Sequence, residues 1–396
     1  MQTLAANAPL RVAIVGCGKI ADHHVAAIRR IPESQIVAVC DRESLMAKQV
    51  AERFRIQQYF SDFRELLQSA KPDVVHITTP PESHFTLGKQ SLEAGCHVYL
   101  EKPFTVTAEE ALSLVELAQR QNLKITAGHN FQFTLEMLEM RQLVQQGFLG
   151  GRPVHLESYF PYSLEDSVYA GVVLQSRTHW VRQLPGQLLH NVISHPVAQL
   201  AEFLDDEIAE IHATAHQSAR LRALGGEEVL DELRVLIRDR NGATAFLCFS
   251  TQLRPGVNQL RICGPRNSII LDHSSGSVIR QRSSSYKSYL TYFIPPLNLA
   301  REYLRSARRN LADFLSGRLH QDAGVKELIQ QFYSSIRTGG NPPIPYRDIL
   351  LTAKIMDEIF AQIYPARIQS SIPSYSAMED RPPQSALAHP SLNLGG

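Results

Sequence analysis

The sequence lacks the features that mark secreted, membrane-spanning and nucleic-acid-binding proteins. Its 396 residues include only five cysteines, an odd number without a C-x-x-C pair, which argues against a disulfide framework and against a zinc or other metal site. No apolar run reaches the roughly 18 residues that a membrane helix needs. Lys and Arg together number 40 and Asp and Glu 39, so the chain has no basic excess for binding nucleic acid.

The start of the chain also lacks the pattern of a signal peptide. The first apolar run, Val12 to Val15, leads directly into a glycine turn. Hydrophobic residues make up 44% and charged residues 20%, as in ordinary globular proteins. We therefore expect a soluble, cytoplasmic protein, and at about 150 residues per domain its length predicts two or three domains.

Short apolar runs and helical periodicities alternate through the first part of the chain. The apolar runs predict buried strands at Leu10–Val15, Ile36–Cys40, Asp73–Ile77, His97–Leu100 and Lys124–Ala127. Helical spacing separates them at Ile20–Ile31, Ser44–Phe54, Ser83–Ala94 and Ala108–Gln121. Such alternation implies right-handed crossovers and a parallel sheet with helices on both faces. The sequence therefore predicts a short tail over residues 1–9 and a doubly wound α/β domain over residues 10–130.

Strand-like segments follow one another later in the chain without intervening helices. They stand at Val154–Phe160, Ile208–His216, Val229–Arg238, Ala243–Ser250, Asn258–Cys263 and Asn267–Leu271, with a hairpin-type turn at Asn241-Gly242. Helical spacing appears at Gln187–Leu204, Leu297–Ser316, Val325–Arg337 and Ile349–Ile363. This pattern predicts an α+β domain with a mostly antiparallel open sheet over residues 131–364. Residues 365–396, rich in Pro, Ser, Ala and Gln, predict a flexible tail.

A glycine-rich turn follows the first predicted strand. Residues Gly16 to Ala21 fit G-x-G-x-x-G/A, in which Gly16 permits the tight turn and Gly18 lets the backbone approach a diphosphate. Lys19 and Ile20 open the following helix, whose free N–H groups favour an anion. The motif alone is weak, but its position between a strand and a helix predicts a dinucleotide-binding site.

The residues after the second strand bear on the choice of dinucleotide. Asp41 stands 23 residues after Gly18, where a carboxylate can accept hydrogen bonds from both ribose hydroxyls and favours NAD. Arg42 beside it could hold a 2′-phosphate, which leaves NADP open, and could equally stack on adenine or face solvent. The structural alternative is a glycine turn with Asp41 as a helix cap.

Further motifs stand at the ends of later predicted strands, where open α/β sheets bind ligands. Thr79-Pro80, Glu101-Lys102-Pro103 and Asn130-x-x-Phe133 follow the glycine turn in this order. With these motifs the sequence resembles the Gfo/Idh/MocA oxidoreductases, the relatives of glucose-fructose oxidoreductase and inositol dehydrogenase. The resemblance covers roughly residues 10–364. It implies a Rossmann domain followed by a mostly antiparallel sheet domain, NAD(P)-dependent chemistry on a sugar-like substrate, and a homodimer or homotetramer.

The resemblance also implies roles for these motif residues. Lys102 would lie near the nicotinamide and the substrate hydroxyl, where a cation stabilises a developing alkoxide. The cofactor-binding set would also include Thr79, Pro80, His84, Glu101 and Asn130, and Asn130 would reach the substrate. His84 has a structural alternative as a buried, hydrogen-bonded helix histidine.

The second half of the implied site departs from the family pattern. Members usually carry Gly-Gly-x-Leu-x-Asp-x-Gly-x-His, whereas this chain has Pro185 to His195, with Asn191 in place of Asp and Ile193 in place of Gly. Asn191 and His195 are four residues apart and share one helix face. His195 would act as general base and Asn191 would position the hydroxyl. Trp180 would line the substrate pocket or simply pack.

A basic and aromatic segment stands late in the chain. Residues 281–320 carry a net charge of +5. A predicted helical stripe adjoins its arginines and consists of Leu297, Tyr303, Leu304, Leu311, Phe314 and Leu315. Three interpretations stay open: a helix packed on the sheet or at a subunit interface, contact of residues 286–318 with an anionic membrane surface, or contact with an anionic substrate.

Together these observations predict an NAD(P)-dependent oxidoreductase that interconverts a secondary carbinol and a ketone of a sugar, sugar acid or sugar nucleotide. Two alternatives remain. One is oxidation followed by elimination and re-reduction without net redox change, as in NAD-dependent glycosidases of the family. The other is a non-catalytic sugar and dinucleotide sensor, which the replacement of the family Asp by Asn191 keeps open.

Overall fold

The computed structural model describes residues 8–365 except 165–175, 177, 224–227, 284, 288 and 321. Apart from residues 8, 9 and 365, the two predicted tails lie outside the described residues. The rest of the chain forms two sheets, each with its own core.

The first sheet is parallel throughout, with the strand order β3-β2-β1-β4-β5-β6. Its strands are β1 (Leu10–Val15), β2 (Ser34–Cys40), β3 (Gln58–Phe60), β4 (Val74–Ile77), β5 (His97–Leu100) and β6 (Ile125–Ala127). From β1 the sheet extends to one side through β2 and β3, and to the other side through β4, β5 and β6. This reversal of strand order opens a crevice at the carboxyl ends of β1 and β4.

Five helices cross over between these strands: α1 (Lys19–Ile28), α2 (Ser44–Phe54), α3 (Phe63–Ala70), α4 (His84–Glu93) and α5 (Ala108–Arg120). A short 3-10 turn, Pro81–Ser83, precedes α4, and another, Asn130–Phe133, follows β6. The predicted doubly wound domain is confirmed. Sequence analysis missed β3 and α3, because a three-residue strand with two exposed residues has no apolar run to reveal it.

The second sheet has the order β13-β12-β11-β7-β10-β9-β8. Every pair is antiparallel except β7 with β10, which run parallel. Its strands are β7 (His155–Pro161), β8 (Ile208–His216), β9 (Glu232–Asp239), β10 (Thr244–Ser250), β11 (Gln259–Cys263), β12 (Asn267–Asp272) and β13 (Ser277–Arg282). The prediction of a mostly antiparallel sheet is confirmed, and only β13 was missed.

The helices of the second half are α6 (Leu135–Gln145), α7 (Trp180–Gln183), α8 (Gln187–Ala201), α9 (Ala219–Ala223), α10 (Leu290–Leu315), α11 (Ala323–Thr338) and α12 (Tyr346–Ile363). Helix α8 is buried along its length except at Asn191. Helix α11 packs into the core of the first domain through residues such as Leu328 and Phe332, so the chain returns to that domain near its end. Among the helices that the structure describes, none has both the length and the apolar character that crossing a membrane requires.

Helix α10 differs from its predicted form. The sequence predicts a start at Leu297, after two prolines, but the helix begins at Leu290 and includes Pro295 and Pro296. Its orientation is also notable. The large apolar residues of its predicted stripe are exposed, whereas the side that contacts the protein is polar.

Candidate active site

The carboxyl edge of the parallel sheet brings the predicted cofactor residues together. The glycine turn follows β1, Asp41 follows β2, Thr79 follows β4, Lys102 follows β5 and Asn130 follows β6. Because parallel strands end at one edge, residues far apart in the sequence meet there.

Gly16 is required by the fold. Its φ is +95°, a left-handed value that side chains rarely adopt, and an added Cβ would lie 2.7–2.8 Å from Thr78 and Thr79. The Thr78 hydroxyl contacts the Gly16 carbonyl oxygen at 2.7 Å and so fixes this turn against the β4 loop. The glycine therefore permits a close approach between two strand ends.

Gly18 has a different reason for being glycine. It precedes α1 with φ −76° and ψ −171°, which any residue adopts, and an added Cβ would meet none of the described residues within 4 Å. No described side chain caps the start of α1, and Lys19 and Ile20 after it are exposed. Open space beside uncapped helical N–H groups fits the diphosphate of a dinucleotide.

Asp41 is partly buried and braces the turn. Its Oδ2 accepts a hydrogen bond from the Cys17 backbone N–H at 2.7 Å, and its Oδ1 accepts one from the Glu43 N–H at 2.9 Å. Each carboxylate oxygen retains a further lone pair with which it can accept from a ribose hydroxyl. Arg42 is exposed beside it.

Glu101 begins a buried chain of hydrogen bonds. Its Oε2 accepts from the backbone N–H of Lys102 at 3.0 Å, and its Oε1 lies 2.9 Å from His24 Nε2. The chain continues from His24 Nδ1 to His76 Nδ1 at 2.9 Å and from His76 Nε2 to the Tyr333 hydroxyl at 2.8 Å. These contacts link α1, β4, β5 and α11 behind the site.

These hydrogen bonds follow one consistent donor-to-acceptor direction when both imidazoles are neutral. Burial alone would raise the pKa of Glu101, but the interactions with His24 and Lys102 together outweigh it and the net shift is downward. An ionised Glu101 only accepts, so His24 donates from Nε2 and accepts at Nδ1 from His76. His76 then accepts from the Tyr333 hydroxyl. Glu101 is thus held as an oriented carboxylate next to Lys102.

Lys102 reaches from the first domain to the second. Its Nζ donates to the backbone carbonyl of Asn191 at 3.1 Å and lies 3.5 Å from Asn191 Oδ1. Burial lowers the pKa of Lys102, and the Glu101 carboxylate opposes that shift. The predicted juxtaposition of a lysine and a hydrogen-bonding side chain across the cleft is therefore present in the structure.

His195 stands one helical turn after Asn191. It stacks on Phe131 with ring centroids 4.4 Å apart and lies 6.3 Å from the ring of His129. Its Nδ1 is buried and has no hydrogen-bond partner among the described residues. Burial, and after it the charge of Lys102, hold the pKa of His195 well below its usual range. A neutral imidazole able to accept a proton is therefore present at neutral pH.

His84 lies behind the site. Its Nε2 contacts the Thr79 carbonyl at 2.8 Å and its Nδ1 the Pro103 carbonyl at 3.0 Å. The side chain is fully buried and burial lowers its pKa. It joins the loop after β4 to the loop after β5, so the structure favours the buried, hydrogen-bonded alternative for His84. Pro80 is exposed at the rim.

The remaining predicted site residues are Asn130 and Trp180. Asn130 begins the short 3-10 turn after β6 and is partly buried, and its carbonyl lies against Gly324 of α11. Trp180 packs half-buried against the second core, with its ring 5.6 Å from that of His179. These contacts place Trp180 at the second domain's core.

Sequence reasoning missed several histidines and aromatic residues around the site. His129 is buried directly before Asn130, and burial lowers its pKa to about 4. Within the described part of the chain, neither of its ring nitrogens has a hydrogen-bond partner. His24 of α1 contacts Glu101 through its Nε2. The position of His129 at the end of a strand was a usable signal, whereas the pairing of His24 with His76 depends on strand order. Among the described residues, no group of three or more His, Cys, Asp or Glu is placed to hold a metal ion.

Comparison with protein families matches both halves of the chain. The model described as "Oxidoreductase family, NAD-binding Rossmann fold" matches residues 10–129. The model of the GFO/IDH/MocA C-terminal domain matches residues 137–270. Together they account for most of the described chain, including the elements that carry Lys102 and His195.

Individual relatives are similar over different lengths. D-glucoside 3-dehydrogenase of Escherichia coli is 33% identical over 151 residues, which is 38% of this chain and 43% of that protein, so this match spans less than half of the relative. The dTDP-3,4-didehydro-2,6-dideoxy-α-D-glucose 3-reductase of Saccharopolyspora spinosa is 25% identical over 332 residues, covering 84% of this chain and 89% of that protein.

A solved structure agrees over nearly the whole fold. The WlbA dehydrogenase from Bordetella pertussis, in complex with NADH and UDP-GlcNAcA, superposes with a TM-score of 0.72 at 16% identity, covering 92% of this chain and 98% of that one. This likeness concerns the fold, and the two family models supply the kinship in sequence. The chain belongs to the GFO/IDH/MocA family of oxidoreductases, with an NAD-binding Rossmann domain at its amino-terminal end.

Proposed function

We propose that this protein is an NAD-dependent dehydrogenase that interconverts a secondary hydroxyl and a ketone on a sugar or sugar nucleotide. The proposal rests on the contact of Lys102 Nζ with Asn191, which lies near the start of α8 and one helical turn before His195. It joins an electrostatic group from the dinucleotide domain to a proton acceptor from the second domain. Neither domain would supply both groups alone.

The residues divide the work as follows. The glycine turn, the start of α1 and Asp41 hold the dinucleotide, which when bound supplies the acceptor or donor of hydride. Lys102 polarises the reacting oxygen and stabilises negative charge that develops on it. Asn191 orients the hydroxyl through hydrogen bonds. His195 accepts the hydroxyl proton during oxidation, and we assign this to Nε2 because Nδ1 is enclosed.

Asn191 changes the charge of the site relative to the usual family pattern. An aspartate would give Lys102 a second carboxylate neighbour besides Glu101, whereas the asparagine only donates and accepts hydrogen bonds. Burial lowers the pKa of Lys102, and with asparagine at position 191 Glu101 is the carboxylate that opposes this shift. The lower negative charge of the site favours a substrate that carries negative charge of its own, such as a nucleoside diphosphate sugar.

The names of the relatives support the substrate class. One is a D-glucoside 3-dehydrogenase and another a 3-reductase of a dTDP-linked sugar. The superposed dehydrogenase was crystallised with a UDP-linked sugar. We therefore infer that carbon 3 of a hexopyranose is the reacting carbon, and that a nucleotide-linked sugar and a simple glycoside are the two substrate types to compare.

A binding and turnover experiment tests the proposal. NADH and NADPH are titrated by fluorescence, and a panel of glycosides and nucleotide sugars is then screened for a change in reduced-nicotinamide absorbance. We expect tighter binding of NADH and turnover with at least one sugar, with a 3-keto product by NMR. Dinucleotide binding without any turnover would favour the sensor, and sugar cleavage without net NADH formation would favour the elimination enzyme.

Lys102→Met is the decisive variant. We expect it to lower kcat/KM by about 100-fold or more, since one group that stabilises developing charge contributes on this order, while dinucleotide affinity changes little. Lys89→Met is the matched control, because Lys89 is an exposed lysine of the same domain. Full turnover by Lys102→Met would refute the role of Lys102.

A further inference from the structure

Helix α10 is oriented with its polar face inward and its apolar face outward. The residues of α10 that are buried are Ser306 and Asp313, and the neighbouring Arg305 and Arg309 also face the protein. Most surface helices of globular proteins bury their apolar face. This reversal needs a physical reason.

The reason for the polar inner face is the edge of the second sheet. Strand β13 is the last strand, and its outer N–H and C=O groups need partners. The Ser306 hydroxyl contacts the Val278 N–H at 3.3 Å, and an Arg305 guanidinium N–H donates to the Val278 carbonyl at 2.7 Å. Arg305 also pairs with Glu139 of α6 at 2.6 Å. The polar side of α10 thus satisfies the sheet edge.

The outer face has a strict seven-residue repeat. Leu290, Leu297, Leu304 and Leu311 are spaced by seven, and a second series offset by three consists of Phe293, Ala300, Ala307 and Phe314. These are the a and d positions of four heptads. All eight are exposed, and the side chains of Leu297, Leu304 and Phe314 expose 60%, 58% and 65% of their surface. We call these eight residues the α10 seam.

The strict seven-residue spacing of the seam indicates a helical partner more than a lipid surface. Helices that lie on membranes present basic residues along their polar side to the lipid headgroups. Here three of the basic residues that the sequence suggested for lipid contact are ion-paired within the chain: Arg305 and Arg309 with Glu139, and Arg318 with Asp313. Arg301 and Arg308 remain exposed at the border of the seam.

We propose that α10 pairs with α10 of a second copy of this chain, in antiparallel orientation about a two-fold axis. In an antiparallel pair, a positions lie opposite d positions. Leu290 then meets the partner's Phe314, and Leu297 meets the partner's Ala307. Leu304 meets the partner's Ala300, and each contact occurs twice because the interface is self-complementary. Large residues meet at the ends, and the alanines let the two helices approach closely at the centre.

The exposed area is sufficient for a stable dimer. Six large seam residues, together with Tyr303 and Leu315 beside them, are exposed. At about 100 Å² hidden per large side chain, they would bury roughly 800 Å² on each subunit, which is the size of a standard specific interface. The seam together with Tyr303 and Leu315 therefore offers enough area to hold two copies together.

The two free arginines give this interface a characteristic response to salt. These pairings place the two-fold axis at residue 302, so Arg301 lies beside the partner's Arg301 and like charges meet along one border of the seam. Salt screens this repulsion, since the Debye length falls from about 30 Å at 0.01 M to about 3 Å at 1 M. Dimerisation should therefore tighten as salt is added, whereas binding to anionic lipid should weaken.

The full-length protein and two variants test the proposal by analytical ultracentrifugation. Leu304→Glu places a charge in the centre of the seam and should raise the dissociation constant of this pairing by about 100-fold or more. Leu236→Glu is the matched control, because Leu236 is an exposed leucine on β9, away from α10, with 56% of its surface accessible. Unchanged dinucleotide binding confirms that each variant is folded.

Loss of assembly in Leu304→Glu but not in Leu236→Glu supports the proposal, as does tightening with salt. The reverse pattern, or assembly unchanged in Leu304→Glu, overturns it. Disulfide trapping tests the orientation: Leu297→Cys combined with Ala307→Cys should cross-link two chains, and Leu297→Cys alone should not. A monomeric protein that sediments with phosphatidylserine vesicles, and whose binding is lost in Leu304→Glu, would assign the seam to lipid and overturn the pairing.

Discussion

At the scale of single residues, the site depends on groups that are held in place by others. Lys102 and His195 face the cleft, but Glu101 is oriented from behind by His24, and His24 by His76 and Tyr333. Such a buried polar chain is stabilising only while every member has a partner. Its function is to keep a carboxylate fixed next to Lys102, which neither a surface glutamate nor a lone histidine could do.

Removing the outer end of this chain should cost stability without removing the site. Tyr333→Phe leaves His76 Nε2 buried without a donor, and we expect the free energy of unfolding to fall by about 1–2 kcal/mol. His24→Leu should cost more, since the Glu101 carboxylate then loses its partner. Urea unfolding measures both, with the exposed Tyr292→Phe as control. A Tyr333→Phe protein as stable as the control would contradict the chain as described.

At the scale of elements, short connections at the ends of strands determine what the domain can bind. The glycine turn was predicted from sequence because the spacing of its glycines reflects the local geometry of a strand–turn–helix unit. The motif assigns a separate role to each glycine, and the structure supplies the contacts behind each role. Gly16 is fixed by contact with the β4 loop, whereas Gly18 borders open space.

Alanine substitutions should separate these two reasons. Gly16→Ala should lower the free energy of unfolding by about 1–3 kcal/mol, since the new Cβ meets Thr78 and Thr79 at a left-handed φ. Gly18→Ala should leave stability within about 0.5 kcal/mol but weaken NADH binding tenfold or more, because it fills the space for the diphosphate. Thermal unfolding and NADH titration of both variants provide the measurement. Normal NADH affinity in Gly18→Ala would show that the diphosphate lies elsewhere.

At the scale of the whole molecule, the two domains share buried histidines that disfavour protonation. Burial lowers the pKa of His97, His129 and His190 to about 4. In the unfolded chain such groups titrate near 6.5. As the pH falls below 6.5, the unfolded state therefore binds protons that the folded state does not, and the folded state loses stability down to about pH 4.

Each of these histidines should make the free energy of unfolding fall by about 1.4 kcal/mol per pH unit in this window. Asp357, whose pKa burial raises to about 6, acts in the opposite direction and offsets part of the slope. Urea unfolding between pH 7 and pH 5 measures the effect. His190→Gln should reduce the slope relative to the unsubstituted protein. A slope equal to that of the unsubstituted protein would argue against the buried, neutral state of His190.

The sequence by itself determined the doubly wound domain, the mostly antiparallel second sheet and the line of motifs from Gly16 to His195. These features follow from local hydrophobic periodicity and from motif spacings that reflect the conformation of the local backbone. The partners of Glu101 depended on strand order, because His24 and His76 are 52 residues apart and meet only when β1 and β4 are neighbours. Tertiary structure likewise decided which face of α10 is exposed to solvent. Its polar side satisfies the edge of β13, so the leucine repeat that periodicity alone would bury is left for a partner.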